Sequence, residues 1–386
     1  MSESIVIVGG GPVGSVLALL LAKQGIAVTV LEARKQGAAH PDNRALALSY
    51  GSRRILEKLG IWGGLESYAT AINTINVSQK GSIGRTLLQA NDYKQEALGY
   101  VLSYGALSAA LDKVLSSQPN VNFVFEAVAE RILHGTQQAS VSYTYDGKLH
   151  SISSALVVLA DGGRSLDELA GLVRETKEYH HDALISKVRA ELPHGNIAYE
   201  RFTSNGPIAL LPNGERDFSL VWTGKRELIA ALLTLSDADF LEKFHQEFGD
   251  RVGKFVSVEK RICFPLKMSQ LQVGDIEHLV VIGNAAQTMH PVAGQGFNIG
   301  LRDAESLAQH ITASAHSELG SATMLDAYRA SRKKDTKGGL MFTDFLVNVF
   351  SNDILGIAGF RATGLGLLNI IKPIKRHLVS KMSFGK

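Results

Sequence analysis

Long apolar runs alternate with helical repeats at the start of the chain. Residues 5–8 are uninterrupted by polar side chains, which is typical of a strand buried on both faces of a parallel sheet. Residues 13–23 are rich in Leu and Ala and predict a helix, and residues 27–31 predict a second strand. Together these elements indicate a βαβ unit, whose crossover is right-handed almost without exception.

The buried-strand pattern recurs twice, far along the chain. Residues 156–160 are apolar and lead into Asp161-Gly162, and residues 279–282 are apolar and lead into Gly283. In open α/β sheets, ligands collect beyond the carboxyl ends of the strands. The three glycine-bearing turns therefore predict one shared ligand site, although they lie more than 100 residues apart.

The pattern changes in the middle of the chain to alternating strands with one inserted helix near residues 239–248. This predicts a mixed α/β (α+β) fold, in which a Rossmann-like domain is interleaved with a mostly antiparallel β-sheet domain. The predicted boundaries are 1–75 with 100–175 and 268–335 for the first domain, and 76–99 with 176–267 for the second. Residues 336–386 are predicted to form a C-terminal helical segment.

Composition and charge remove several classes of function. The 386 residues are 45% hydrophobic and 20% charged, as in ordinary globular proteins, and the net charge of +3 does not favour nucleic-acid binding. The single cysteine, Cys263, excludes an intramolecular disulfide and a multi-cysteine metal site. No metal is expected. The first apolar run lacks a basic leader, so a cytoplasmic location is expected.

The turn after the first strand carries the pattern G-x-G-x-x-G at Gly9, Gly11 and Gly14. In such turns the first glycine allows the tight bend, the second admits a pyrophosphate, and the third lets the helix pack on the strand. Gly10 occupies a variable position, so a substitution there is expected to weaken dinucleotide binding less than one at Gly11, where a methyl group would collide with the pyrophosphate. Glu32 ends the next strand, where a carboxylate accepts hydrogen bonds from a ribose diol and disfavours a 2′-phosphate.

The turns after the other two strands carry further polar and glycine-rich segments. Asp161 and Gly162 open the first of these turns. The second runs from Gly283 and Asn284 to Gly300, and it includes the glycine-rich stretch Ala293-Gly294-Gln295-Gly296. A polar side chain after the strand can hydrogen-bond a hydroxyl group of a ligand. A helix N-terminus there would stabilise negative charge on the ligand.

These three segments resemble the FAD fingerprints of the para-hydroxybenzoate hydroxylase superfamily. The last segment is similar to the signature of its ubiquinone-biosynthesis hydroxylases, with Pro291 and Asn298 in place. The segments Asn43-Arg44-Ala45-Leu46 and Glu200-Arg201-Phe202-Thr203 also match, the latter most closely in the branch acting on 2-polyprenyl-6-methoxyphenol. On this resemblance the cofactor-binding residues are Gly9, Gly11, Gly14, Glu32, Arg44, Asp161, Gly162, Gly283, Asn284, Pro291, Gly294, Gln295, Gly296, Phe297 and Asn298.

The chain departs from the family pattern at three places. Asn284 stands where most members have Asp, and Gln287 stands where most have His. The middle segment lacks the Arg that usually follows its Ser, since residues 166–168 are Leu, Asp and Glu. This segment is linked with NAD(P)H contacts as well as FAD, so the route of flavin reduction stays open. Arg44 is expected near the flavin, the alternative being a solvated loop arginine, and His290 is expected to be a turn residue rather than an acid or base.

The resemblance implies an FAD-dependent aromatic-ring monooxygenase that uses O₂ and NAD(P)H. Family members form a flavin C4a-hydroperoxide that hydroxylates the ring, so the flavin carries the chemistry and no catalytic side chain is singled out. The implied substrate is a polyprenylated phenol of ubiquinone biosynthesis. Two alternatives remain: a non-catalytic flavin-fold subunit of a ubiquinone-synthesis complex, and a flavin reductase or oxidase acting on another lipid.

The C-terminal region is apolar and glycine-bearing from residue 341, and five cations lie between Lys372 and Lys386. One interpretation is a set of helices packed on the body of the protein. The other is a peripheral contact with the inner face of the cytoplasmic membrane, through an apolar surface flanked by cations. Both interpretations are consistent with the sequence.

Overall fold

A computed structural model provides the structure of the chain. It describes residues 3–81, 85–165, 169, 171–273, 276–288, 295–333, 335, 376, 379–381 and 383–384. Within these ranges, none of the helices combines the length and hydropathy that crossing a bilayer requires.

The first sheet has seven strands, and its central members pair in parallel as the apolar runs predict. The strands are β1 (Glu3–Val8), β2 (Val28–Glu32), β8 (Val121–Phe125), β9 (Val128–His134), β10 (Ala139–Tyr145), β11 (Lys148–Leu159) and β18 (Leu279–Val281). Their order is β8-β2-β1-β11-β10-β9, with β18 on β11. Because β1, β11 and β18 are adjacent and parallel, their three turns meet at one edge, as predicted.

Four helices pack on this sheet and bury the largest core of the molecule. They are α1 (Pro12–Ala22), α2 (Tyr50–Lys58), α3 (Tyr104–Leu115) and α6 (Gln295–Ala313). Ser49 and Ser103 begin α2 and α3 as N-caps, because their side chains accept the N–H groups of Ser52 and Ala106.

The second sheet has nine strands and is antiparallel except for one pair. The strands are β5 (Thr74–Gln79), β6 (Arg85–Gln89), β12 (Leu172–Ala190), β13 (Ile197–Thr203), β14 (Gly206–Pro212), β15 (Asp217–Lys225), β16 (Phe255–Val258), β17 (Ile262–Val273) and β19 (Gln287–Thr288). Their order is β19-β17-β12-β15-β14-β13-β5-β6, with β16 on β12 and with β13 parallel to β5. The interleaved α/β architecture predicted from the sequence is confirmed.

Two helices, α4 (Arg226–Thr234) and α5 (Asp237–Phe248), cover one face of this sheet. A third, three-stranded sheet contains β3 (Ala45–Ser49), β4 (Thr70–Ile72) and β7 (Gly99–Ser103). The predicted domain boundaries at 175/176 and 267/268 fall inside β12 and β17, which belong to the nine-stranded sheet along their whole length. Most of the C-terminal segment lies outside the described residues. Val379 is buried against Leu88 and Leu98.

Candidate cofactor-binding site

A cavity of about 300 Å³ lies where β1, β11 and β18 end. Each of the three predicted turns contributes to its wall. The predicted site residues that line it are Gly9, Gly11, Glu32, Arg44, Asp161, Gly162, Gly283, Asn284 and Phe297. The fold therefore brings together residues that are separated by up to 288 positions in the chain.

The glycines after β1 have different surroundings. Gly9 has φ of +105°, which disfavours any L side chain, and a Cβ there would lie 2.6 Å from the Asp161 nitrogen. A Cβ on Gly14 would overlap the carbonyl oxygen of Gly9, so α1 can approach β1 only without a side chain. A Cβ on Gly11 would meet just the Tyr104 hydroxyl, at 3.6 Å, and would project into the cavity.

Gly10 is constrained by packing rather than by the cavity, and its milder effect on FAD binding relative to Gly11 stays a prediction. A Cβ on Gly10 would overlap the ring of Phe123 and would lie 3.0 Å from the Glu32 Cβ. The Phe123 ring stacks on Phe125 at 4.4 Å between centroids, which leaves it little freedom to move away. In this protein, packing therefore favours glycine at the variable position of the motif.

Glu32 lies at the end of β2 beside the turn, and only 6% of it is exposed. Its carboxylate accepts the Gly10 N–H at 2.8 Å and the Arg34 Nε–H at 2.7 Å. Burial alone would raise the pKa of Glu32, but the hydrogen bonds and charge of Arg34, with the Gly10 N–H, lower it below 4.5. Glu32 is therefore a carboxylate at neutral pH, as an acceptor for ribose hydroxyls must be.

Arg44 lies at the cavity wall and is also partly solvated. Its Nη2 lies 2.6 Å from the Asp42 carboxylate, and its guanidinium is 5.3 Å from the centre of the Tyr104 ring. Its side chain is 58% exposed. Arg44 thus lies at the cavity wall with access to solvent, and its contact with a flavin stays a prediction.

Asp161 organises the turn after β11 with its own side chain. Its two carboxylate oxygens accept the N–H groups of Gly163 and Ser165, both at 2.8 Å. Gly162 has φ of +78°. The carboxylate therefore holds the backbone of this turn in place at the cavity wall.

The backbone of the turn after β18 is fixed by a hydrogen bond to a buried carboxylate. Gly283 has φ of +65°, and its N–H donates to Asp303 at 3.1 Å. Asp303 in turn pairs with Arg332 at 2.7 Å. Asn284 follows at the cavity wall, where an aspartate would bring a negative charge. The substitution of Asn for Asp thus keeps a hydrogen-bonding side chain without the charge.

The remaining predicted residues belong to the segment that leads into α6. Pro291 and Gly294 lie outside the described residues, as does the side chain of Gln295. Phe297 lines the cavity, whereas Gly14, Gly296 and Asn298 do not. The Asn298 side chain is directed into the protein, where its Oδ1 accepts the Ser49 N–H at 2.8 Å and its Nδ2 donates to the Ala47 carbonyl at 2.9 Å. Its side chain therefore positions α6 against β3.

Three residues near the site were not predicted from the sequence. Arg34 holds Glu32, Tyr104 faces both Gly11 and Arg44, and Phe123 fixes Gly10. Arg34 had a local signal, since it stands two residues after a predicted ribose carboxylate. Tyr104 and Phe123 come from separate elements and have no signal in the motif.

The residues present fit an FAD dinucleotide. The N-terminus of α1 has no side-chain cap, so its N–H groups and dipole are available to a diphosphate. At Gly11 no side chain blocks the approach of a diphosphate. The Glu32 carboxylate borders the cavity, where it can accept hydrogen bonds from a ribose. The cradle at Gly11 would be filled by any larger side chain.

Comparison with known proteins identifies the family. The family model described as an FAD binding domain matches residues 2–343. Ubiquinone hydroxylase UbiL of Rhodospirillum rubrum is 34% identical, over 99% of this chain and 90% of that protein. The 3-demethoxyubiquinol 3-hydroxylase of Escherichia coli is 29% identical, over 97% of this chain and 96% of that protein.

Solved structures share the fold at lower identity. The p-nitrophenol 4-monooxygenase PnpA of Pseudomonas putida aligns with a TM-score of 0.78 and 19% identity, over 99% of this chain and 98% of its own. PqsL of Pseudomonas aeruginosa, a probable FAD-dependent monooxygenase, aligns with a TM-score of 0.77 and 20% identity, over 95% and 99%. The FAD domain match and the near full-length relatives lead to one conclusion: this chain belongs to the FAD-dependent hydroxylases of ubiquinone biosynthesis.

Proposed function

We propose that the protein is an FAD-dependent monooxygenase that hydroxylates the ring of a polyprenylated phenol in ubiquinone biosynthesis. The convergence of three strand-end turns on one cavity carries the flavin part of this proposal. The relatives named for ubiquinone and demethoxyubiquinol hydroxylation support the substrate class. The substrate of the 2-polyprenyl-6-methoxyphenol branch fits this class.

Each part of the cavity wall then has a task. The backbone at Gly11 and the N-terminus of α1 bind the diphosphate, and Glu32 binds the ribose. Arg44 donates to the diphosphate or the flavin ring, and Asn284 holds a ribityl hydroxyl. Gln295 and Gly296, in the first turn of α6, present N–H groups to the pyrimidine end of the flavin, while Pro291 and Gly294 stay members of the site by the family resemblance alone.

Bound FAD supplies the activation of O₂ and the transfer of one oxygen atom to the ring. The chain supplies orientation and the exclusion of water. A single dinucleotide turn is consistent with NAD(P)H that binds transiently to reduce the flavin. A tailed substrate resides in a bilayer, so we also propose peripheral contact with the cytoplasmic membrane face and, as partners, other proteins of ubiquinone synthesis.

The first test is purification with cofactor. We expect non-covalent FAD, seen as flavin absorbance that is released on denaturation. A well-folded sample that fails to take up FAD would contradict the proposal at its base.

The second test is analysis of quinone intermediates in a strain that lacks the protein. We expect a precursor one ring hydroxylation short of the product to accumulate, and the parent gene to remove it. The Gly11→Ala variant serves as the control for flavin binding. If this variant restores the quinone pool fully while it binds no FAD, the protein acts as a non-catalytic subunit instead.

A further inference from the structure

The nine-stranded sheet has one face toward α4 and α5 and an opposite face toward the cofactor-binding part of the molecule. Leu184, Leu220 and Trp222 lie on the helix-covered face. On the opposite, inner face, Met268 packs against Ile299 of α6, and Ala198 packs near Ala45 of β3. The inner face therefore spans the space between the first turn of α6 and the strand that follows Arg44.

One row of residues crosses this inner face from strand to strand. Cross-strand pairing aligns Val77 with Glu200, Glu200 with Ala209, Ala209 with Val221, Val221 with Ile185 and Ile185 with Ile262. All six residues are half-buried. The next residues along one side, Phe202, Pro207, Thr223 and Ala183, are buried. We call these six residues the half-buried row; at the usual strand spacing it is about 24 Å long.

Five members of the half-buried row are apolar, and Glu200 is its single ionisable member. The two strands that flank it, β5 and β14, contain no titratable residue. Its chain neighbours point to the other face, where Arg201 donates to the Glu247 carbonyl and Tyr199 packs with the aromatic cluster. Further along the sheet, Lys187 of β12 pairs with Asp217 of β15 at 3.2 Å. The other ionisable residue of β15, Lys225, lies at the end of that strand.

The Glu200 carboxyl thus lies in an apolar setting without a charged partner among the described residues. Burial alone raises its pKa to about 7, whereas part of its surface remains accessible. Glu200 is therefore a desolvated carboxyl that keeps some access to solvent on the inner face of the sheet. An unpaired carboxylate in such a place is costly unless a ligand uses it.

Building on the proposed function, we infer that the half-buried row is the floor of the substrate groove and that Glu200 accepts the proton of the ring hydroxyl. In this step the ring O–H bond breaks, the proton moves to the Glu200 carboxylate, and the bonding pair stays on the ring oxygen. The added electron density makes the ring carbons better acceptors of the oxygen atom from the flavin. Glu200 then gives this proton to the oxygen atom that leaves as water, and the hydrogen on the hydroxylated ring carbon moves to the ring oxygen, which restores the aromatic ring. The apolar members of the row contact the prenyl tail.

The chemistry of the groove suits this step. A phenol ionises near pH 10, so an ordinary carboxylate of pKa about 4.5 is a weak base for it. A base whose pKa lies closer to the working pH transfers the proton more effectively. Because the carboxylate must be ionised to accept a proton, activity should rise with pH through about 7.

The experiment compares FAD-loaded parent and Glu200→Gln on a methoxyphenol with a short prenyl tail. We expect Glu200→Gln to lower the hydroxylation rate by at least about 100-fold and to flatten the pH profile. FAD binding and flavin reduction by NAD(P)H should match the parent. Glu259→Gln, at a side chain that is 68% exposed, is the matched control. A variant within threefold of the parent and with the parent's pH profile would overturn the role of Glu200.

A second substrate separates proton transfer from a structural role. A polyfluorinated analogue that is already fully ionised at pH 6 needs no base, so the defect of Glu200→Gln should largely disappear with it. In the parent, the rate with this analogue should lack the rise through pH 7. This comparison uses the parent alone and decides the question even if Glu200→Gln fails to fold. An equal pH profile for both substrates would contradict the inference.

The groove is tested by Val221→Phe, which narrows the half-buried row two strands away from Glu200. We expect at least tenfold weaker binding of the tailed phenol and unchanged FAD binding. Unchanged binding of the tailed phenol would remove the row from the substrate site. If the parent hydroxylates the tailed phenol and both Glu200→Gln and Val221→Phe match its rate and substrate binding, the proposed function stands and the substrate groove is refuted. A parent that neither binds nor hydroxylates any tailed phenol contradicts both.

Discussion

Gly10 and Gly11 are neighbours in the chain, but their missing side chains face different surroundings. At Gly11 a methyl group would enter the cavity, and at Gly10 it would enter the protein between Phe123 and Glu32. Neither has a positive φ that would strain an alanine. A substitution at Gly11 should therefore affect ligand binding, whereas one at Gly10 should affect the stability of the fold.

We expect Gly11→Ala to leave the stability of the apoprotein unchanged and to weaken FAD binding at least tenfold, about 1.4 kcal/mol. The reason is that the methyl group occupies the approach of the diphosphate. Gly10→Ala should instead lower the free energy of unfolding by about 1–3 kcal/mol, as overpacking of a core does. FAD titration and urea unfolding of both apoproteins measure the two effects. Equal effects of the two substitutions would show that the turn is placed wrongly.

Glu32 has two roles to test, because it accepts hydrogen bonds within the protein and is proposed to accept them from a ribose. Glu32→Ala should weaken FAD binding by about 1–3 kcal/mol through loss of a charged acceptor. It should also destabilise the apoprotein, since the Gly10 N–H and Arg34 lose their partner. Glu32→Gln keeps the size of the side chain and serves as the control for packing. FAD binding equal to that of the parent in both variants would refute the ribose role.

The lowered pKa of Glu32 gives its contribution a definite pH dependence. A carboxyl whose pKa is lower in the folded than in the unfolded state stabilises the fold above pH 4.5, and this stabilisation is lost as the pH falls through the lowered value. The parent should therefore be more stable than Glu32→Gln at pH 7, and the gap should shrink below pH 4.5. Urea unfolding of the apoproteins between pH 7 and pH 3.5 tests this. A gap that widens toward acid would contradict the assignment.

At the scale of elements, Asn298 joins the first turn of α6 to β3 and α2. Its Oδ1 accepts the Ser49 N–H and the Ser52 hydroxyl, and Ser49 also donates from its hydroxyl to the Ser383 carbonyl. The helix that faces the cavity is thereby tied to a strand and to the C-terminal end of the chain. A substitution of Asn298 would therefore alter the cavity wall by shifting the first turn of α6.

We expect Asn298→Ala to lower the free energy of unfolding by about 1–3 kcal/mol, because it leaves buried donors at Ser49 and Ser52 without an acceptor. FAD binding should weaken as a consequence. Ser52→Ala removes one donor and keeps Asn298, so it should have a smaller effect on both quantities. Unfolding and FAD titration of the two variants provide the comparison. A stable Asn298→Ala that has lost FAD binding would instead indicate direct contact with the cofactor.

Elements with a strong local pattern could be predicted from the sequence, whereas elements defined by distant partners could not. The runs at 5–8 and 156–160 form central strands of the first sheet, as predicted. The helix α4 was not predicted, because its run Leu228–Leu233 is short, apolar and follows a strand directly. The glycine motif indicated the cavity, but Gly10 depends on Phe123, which is 113 positions away.

At the scale of the molecule, the nine-stranded sheet depends on pairings that no local pattern contains. β13 pairs in parallel with β5, more than 100 residues earlier, and this places Glu200 beside Val77. The sequence matched Glu200 to a family segment without giving its surroundings. The half-buried row exists only after six strands from three separate parts of the chain are in register.

The C-terminal segment is the proposed site of contact with the membrane, where a tailed phenol would reside. Its described end packs on the body, since Val379 is buried, Ser383 accepts from Ser49, and Phe384 contacts the edge of Tyr50. Arg376 is exposed just before this anchor. Truncation of the segment would therefore remove packing as well as any membrane contact, so substitutions of charge give the cleaner test.

We expect the triple variant Lys372→Glu, Lys375→Glu and Arg376→Glu to lose flotation with anionic liposomes while it keeps FAD and its stability. Each cation near an anionic surface contributes about 1 kcal/mol, and this attraction falls with salt. If the proposed peripheral contact exists, the parent should float with anionic liposomes at low salt and less at high salt.

The control for this prediction reverses three exposed cations elsewhere, in Lys113→Glu, Arg131→Glu and Lys148→Glu. It changes the net charge by the same amount, so it should float like the parent if the C-terminal cations make the contact. Equal loss in both triple variants would mean that overall charge, rather than this segment, attracts the protein to the lipid. Flotation that survives in the C-terminal variant would favour packing of the segment on the protein. In that case the tailed phenol would have to reach the half-buried row from another side of the molecule.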